Sequence, residues 1–142
     1  MEQTLRVAIV GAGTAGPAAA LHLTRRLPHA TVSLFDKAQE PRAVGAGIGI
    51  QPIGLSALRK LGLLDTIKRH GARVDSIRTR TAHRNWPVLD VSYQRFDERL
   101  FGLGLHRGVL FEALLDECYK AERIDCSFGV DIADLEQTGD SV

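Results

Sequence analysis

The sequence predicts an α/β fold built on a parallel sheet, and three observations predict it. Residues 5–10, Leu-Arg-Val-Ala-Ile-Val, form a short apolar run rich in β-branched side chains, the pattern of a buried parallel strand. A stretch with helical periodicity comes next, in which Gly16, Ala20, Leu23 and Leu27 fall at steps of four, three and four along one helix face. A second apolar strand at residues 31–35 then ends at Asp36, so that strand, helix and strand form a βαβ unit.

The first turn of this unit carries the sharpest motif. Gly11-Ala12-Gly13-Thr14-Ala15-Gly16 is a G-x-G-x-x-G sequence placed between the first strand and the helix. Pro17 falls in the first helical turn, where a missing N–H costs nothing, and Pro28 closes the helix. Each glycine has a physical task in a Rossmann-like dinucleotide site. Gly11 permits the tight turn, Gly13 lets backbone approach a pyrophosphate, and Gly16 lies on the face that presses toward the sheet. The helix N-terminus offers N–H donors and a positive dipole end to phosphate. Asp36 follows at the expected spacing of about 20 residues and can accept both hydroxyls of a ribose. A bare glycine-rich loop is the plainer alternative, and the ordered succession of strand, glycines, helix, strand and acid argues against it.

The later elements are read in order. Gly45, Gly47 and Gly49 alternate along a backbone that a flat ligand can approach closely. Pro52 starts a helix carrying Leu55, Leu58 and Leu61, which Gly62 stops, and Asp65 is placed as the cap of a short helix ending at Gly71. Residues 73–92 read as two strands around a turn at residues 84–87. Arg107 opens a helix that continues through Val109, Leu110, Ala113 and Leu114. A cation at that end opposes the macrodipole by roughly 0.3–1 kcal/mol, and an anion bound there would remove the conflict. A solvated arginine pointing away is the other reading of Arg107. Residues 124–128 are predicted as a strand entered by a right-handed crossover, residues 130–135 as a further strand, and residues 138–140 as a turn.

Composition bounds the function. The chain has 142 residues, 18 Lys plus Arg against 17 Asp plus Glu, and a net charge of +1. This suits one globular domain and gives no electrostatic reason to expect nucleic acid or a membrane surface as partner. The basic stretch from Lys68 to Arg84 has no interleaved aromatic residues until Trp86 and reads as a solvated face. No apolar run approaches the roughly 18 residues of a transmembrane helix, and no charged-then-apolar leader precedes the first strand. Cys118 and Cys126 are too few for a disulfide framework, and the five histidines show no metal-ligand spacing. A soluble, reduced, cytoplasmic protein is expected, with no catalytic nucleophile and no metal.

The stretches VAIVGAGTAGPAAALHL, VSLFDK, PRAVGAGIGIQPIGLSALRKLGLLD and LHRGVLFEALL resemble the flavoprotein aromatic hydroxylases. These are the group A FAD-dependent monooxygenases of the para-hydroxybenzoate and salicylate hydroxylase type. The resemblance implies a glutathione-reductase-type FAD-binding fold, of which residues 1–142 are an N-terminal, truncated part lacking the substrate domain. Its expected parts are a βαβ unit at 4–36, a glycine-rich flavin loop with helices at 37–71, a β-hairpin insertion at 72–92, and a crossover helix with strands at 105–142. FAD is the implied cofactor and NAD(P)H the co-substrate, with O2 used to hydroxylate a small aromatic substrate. The turn Gly11, Ala12, Gly13, Thr14, Ala15 and Gly16 would hold the FAD pyrophosphate. Asp36 stands where the family usually has a glutamate on the adenosine ribose, and Lys37 beside it joins the cofactor set. Arg42 matches an arginine near the FAD phosphates or ribityl chain. The backbone through Ala46, Gly47 and Ile48 would pass beside the isoalloxazine, and Arg107 would reach the FAD. The piece alone would be inactive, and an open sheet edge would favour a homodimer. Two alternatives remain, a flavoprotein of the same fold such as a halogenase or reductase, and a nucleotide-binding module without activity.

Overall fold

The computed structural model describes residues 4–42 and 45–139. In chain order its elements are β1 (Leu5–Val10), α1 (Ala15–Arg26), β2 (Ala30–Asp36), β3 (Gly47–Ile50), α2 (Pro52–Lys60), α3 (Leu64–Lys68), β4 (Ala72–Val74), β5 (Ser76–Arg80), β6 (Pro87–Ser92), a 3-10 turn (Tyr93–Arg95), β7 (Gly102–His106), α4 (Arg107–Lys120) and β8 (Ile124–Phe128). They form two compact units, Met1–Ala43 with Phe111–Val142, and Val44–Leu110. Length alone suggests one domain; two units arise because the intervening segment closes a sheet and a core of its own.

The first unit is a parallel sheet in the order β1-β2-β8. Val7 lies opposite Val32, and Val32 opposite Ile124. The central strand buries Ala30, Val32 and Leu34, alternate residues of one face, each apolar side chain of valine or leucine size contributing roughly 1.5–3 kcal/mol. α1 covers the sheet with Ala20 and Leu21, and its buried Thr24 hydroxyl donates to the Ala20 carbonyl at 3.0 Å. From α4, Leu114, Leu115 and Cys118 are buried, and the Cys118 thiol points at the Pro17 carbonyl oxygen at 3.6 Å. β1 and β8 are the two outer strands among the described residues, and on β1 Leu5 and Val10 remain 49% and 67% exposed.

The second unit is antiparallel, in the order β3-β7-β4, with a separate β5-β6 hairpin. Ile48 faces Leu105 across the ladder and Ile50 faces Leu103. Leu55 and Leu58 of α2 and Ile67 of α3 are buried with Leu103 and Leu105. In the hairpin, Arg78 pairs with Asp90 at 3.5 Å across the two strands.

Four expectations are corrected here. Asp65 does not cap α3; Leu63 holds the cap position and Asp65 lies inside the first turn, where a carboxylate still complements the helix dipole. Of the segment predicted as two strands, residues 72–74 pair with β7 instead of joining the hairpin. Pro87 lies in β6 and not in the turn, since a two-stranded edge tolerates a missing donor. Residues 130–135 form no strand, because after Val130 donates to the Asp36 carbonyl at 3.0 Å the chain stays exposed and finds no partner strand among the described residues. Of the turn at residues 138–140, Gly139 lies in a turn and Asp140 falls outside the described residues.

Candidate functional site

In the first unit the G-x-G-x-x-G turn is held from both sides. Gly11 takes a φ of +103°, and its N–H donates to the Phe35 carbonyl at 2.7 Å, tying the turn to the end of β2. At Gly16 a Cβ would stand 2.0 Å from the Gly11 carbonyl oxygen and 3.2 Å from Leu34 Cδ1, so only glycine lets the helix start this close to the strand. At Gly13 nothing lies within 4 Å of where a Cβ would be, and the residue is exposed. Thr14 makes no side-chain cap, and no acidic residue occupies the first turn of α1. The turn therefore presents backbone at the positive end of a helix whose own first turn carries no carboxylate.

Asp36 is bound into this turn. Its Oδ2 accepts from the Ala12 N–H at 2.7 Å and its Oδ1 from the Ala38 N–H at 2.9 Å. Each carboxylate oxygen has two lone pairs, so both oxygens keep capacity for hydroxyl donors. The shorter aspartate thus reaches the glycine turn itself. The backbone after β8 runs along the same place, with Gly129 N–H donating to the Ala38 carbonyl at 2.8 Å and Val130 N–H to that of Asp36. Sequence reasoning missed this neighbour, which the register of Asp36 opposite Phe128 brings in. Lys37 and Arg42 are both exposed.

In the second unit the glycine-rich backbone meets Arg107. Arg107 is the first residue of α4, and its N–H donates to the Ala46 carbonyl at 3.2 Å. Gly45 has a φ of +148°, and a Cβ there would lie 2.5 Å from Arg107 Nε and 2.8 Å from its Cζ and Nη2. His106 Nδ1 accepts from the Gly108 N–H at 3.1 Å. Ala46 and Gly47 are exposed, and Ile48 is half-buried in β3. The predicted residues Ala46, Gly47, Ile48 and Arg107 are thereby neighbours.

Other chemistries find no support. Burial pushes the Cys118 thiol up to about 12 and also raises Cys126, so neither is a thiolate near neutrality. Among the described residues no group of three or more His, Cys, Asp or Glu could hold a metal, and no helix is long and apolar enough to cross a membrane.

A parallel βαβ unit with a bare glycine turn and an acid at the end of the second strand defines a nucleotide-binding α/β domain. More closely, the chain belongs to the FAD binding domain family, whose sequence profile matches residues 4–142. It is 34% identical over 117 residues to 3-amino-4-hydroxybenzoate 2-monooxygenase of Streptomyces cremeus, covering 80% of this chain and 29% of that enzyme. It is 28% identical over 145 residues to 3-hydroxybenzoate 6-hydroxylase of Klebsiella oxytoca, covering 100% of this chain and 36% of that enzyme. Among solved structures, 2-methyl-3-hydroxypyridine-5-carboxylic acid oxygenase superimposes with a TM-score of 0.71 at 28% identity, over 89% of this chain and 32% of that one. The p-nitrophenol 4-monooxygenase of Pseudomonas putida shares the fold, with a TM-score of 0.80 at 17% identity over 99% of this chain and 35% of that one. The chain thus spans about a third of the length of the curated relatives it matches.

Proposed function

We propose that residues 1–142 are the FAD-binding portion of a monooxygenase that uses NAD(P)H and O2 to hydroxylate a small aromatic substrate. One observation carries the reading: beside Asp36, fixed to the Ala12 N–H, Gly13 offers open backbone in a turn whose other end is closed by Gly16. A pyrophosphate requires that combination, with room above the backbone and N–H donors below. The names of the relatives, which describe hydroxybenzoate and hydroxypyridine oxygenation in those proteins, support the substrate class.

The residues divide the work. Gly11, Ala12, Gly13, Thr14, Ala15 and Gly16 form the pyrophosphate turn, in which the Gly11 and Ala12 N–H groups fix the turn to Phe35 and Asp36 and the backbone from Gly13 onward faces the pyrophosphate. Asp36 accepts the adenosine ribose hydroxyls and repels a 2′-phosphate, with Lys37 beside it. Arg42 brings positive charge toward the FAD phosphates or ribityl chain, and Arg107 reaches the FAD. Ala46, Gly47 and Ile48 present backbone to the ring, two of them without bulk above the main chain. FAD, when bound, would supply the redox chemistry between NAD(P)H and O2. The chain's own part is to bind, orient and neutralise charge. The substrate domain is read as lying outside residues 1–142, since the relatives are about three times as long. Two free cysteines support a reduced cytoplasmic setting, and the open edge of β1 supports a homodimer.

The test is titration of the protein with FAD, followed by quenching of flavin fluorescence, then NAD(P)H consumption with hydroxybenzoates by the whole protein carrying this domain. Saturable binding of one FAD and substrate-dependent consumption are expected. A chain that leaves flavin fluorescence unchanged overturns the reading.

A further inference from the structure

Arg107 has a long side chain on an exposed helix start, and an arginine so placed has many solvated rotamers open to it. The backbone at Gly45 lies against it. At Gly45 the backbone takes a φ of +148°, and the space a Cβ would occupy is filled by the guanidinium, at 2.5 Å for Nε and 2.8 Å for Cζ and Nη2. A side chain at residue 45 would thus be disfavoured by the backbone and would push the guanidinium about 1 Å outward to normal contact. In the residue before it, His106 Nδ1 accepts from the Gly108 N–H, satisfying one orphan donor of the first turn of α4. This fixes the proton of neutral His106 on Nε2. An aspartate, a commoner cap, would cap equally well but would set a carboxylate beside Arg107 and draw the guanidinium off Gly45. A neutral ring caps without competing.

We infer that Gly45 and His106 are positioning residues for Arg107, Gly45 by leaving its guanidinium a seat on bare backbone and His106 by capping the first turn of α4 without charge. The inference rests on the reading that Arg107 reaches the flavin cofactor, and its test separates the two.

FAD affinity is measured by fluorescence quenching for the parent, Gly45→Ala, Arg107→Gln, the Gly45→Ala/Arg107→Gln pair, His106→Asn and His106→Asp. Gly45→Ala is expected to weaken FAD binding about tenfold in the parent and less than twofold in the Arg107→Gln background, because its effect passes through the guanidinium. His106→Asn is expected to retain the parent affinity within about twofold, whereas His106→Asp keeps the same melting temperature and loses affinity about fivefold. Equal losses from Gly45→Ala in both backgrounds, or equal affinities for the Asn and Asp variants, overturn the inference. The seat is also read without flavin, from the Arg107 Nε–H resonance in a ¹⁵N spectrum. Slow exchange of that proton in the parent and fast exchange in Gly45→Ala is the expected result, and identical exchange in the two overturns the seat. If Arg107→Gln leaves FAD affinity unchanged while the resonance behaves as expected, the flavin role of Arg107 fails and the seat stands.

Discussion

Gly13 and Gly16 belong to one turn yet answer to different constraints. A Cβ at Gly16 would fall 2.0 Å from a backbone oxygen that cannot move without opening the β1–α1 junction, whereas one at Gly13 would meet nothing within 4 Å. Gly16→Ala is therefore expected to lower the melting temperature by more than about 10 °C or to prevent folding, a loss beyond about 3 kcal/mol. Gly13→Ala should melt within about 0.5 kcal/mol of the parent and weaken FAD binding at least tenfold, as read by fluorescence quenching. If Gly13→Ala binds FAD normally, the phosphates do not lie over residue 13. The same motif was legible in the sequence because strand, glycines, helix and acid are consecutive and each spacing has a local cause. The contact of Gly45 with Arg107 was not, because periodicity carries no information on which side chain fills a vacated Cβ position far along the chain. Cys118 makes a further prediction. It is fully buried and its thiol is pushed up to about 12, whereas an unfolded thiol titrates near 8.5. The folded state keeps a proton that the unfolded chain has already lost, so this contribution is complete below about pH 8.5 and declines as pH rises toward 12. Urea midpoints between pH 8 and 10.5 should fall more steeply for the parent than for Cys118→Ala.

The end of α1 shows how an element can be completed from a distance. After Leu27 the chain must turn at Pro28, leaving the last carbonyls of the helix without intrahelical donors. Arg123 takes one of them and the carbonyls of the following turn: Nη2 donates to the Thr24 carbonyl oxygen inside the helix, and Nη1 to those of Leu27, Pro28 and Ala30 beyond it, each at 3.0 Å. A guanidinium also has the favourable sign for a helix C-terminus. Arg123→Ala is expected to destabilise the chain by about 2–3 kcal/mol in urea unfolding, and Arg123→Lys to recover less than half of that, since one ammonium cannot span the same set of oxygens. A loss below about 0.5 kcal/mol would mean that water replaces the guanidinium at no cost. Where the helix stops was readable from Pro28; what satisfies its end was not, because Arg123 looks like any surface arginine. The failure at residues 130–135 has the opposite origin. Val130 and Ile132 alternate as strand residues would, but Ile132 is 41% and Leu135 70% exposed, and a strand is defined by the partner that accepts its backbone bonds.

Over the whole molecule, the sheet of the first unit has two edges, β1 and β8, and β1 carries a row of backbone groups without a second neighbour among the described residues. Parallel sheets are ordinarily covered on both faces and paired through their middle strands. The 142-residue chain is expected to self-associate reversibly, with the weight-average mass in sedimentation equilibrium rising above 15.5 kDa at tens of micromolar and above. Ala8→Lys places a charge on that edge and should return the mass to the monomer value without lowering the melting temperature. An unchanged mass in the variant would place the contact elsewhere.

The first unit is drawn from both ends of the sequence, Met1–Ala43 and Phe111–Val142, and this orders events at the ribosome. Arg123 lies 99 residues beyond Thr24, so the nascent glycine turn and helix wait roughly 5–20 s for their clamp and third strand at ordinary synthesis rates. During that interval β1 and β2 are a parallel pair joined by α1 but still without β8, while the inserted second unit, with its local β5-β6 hairpin, can close once β7 has emerged. Nucleation in the antiparallel segment, with the nucleotide-binding half maturing last, is the order that loop-closure entropy favours.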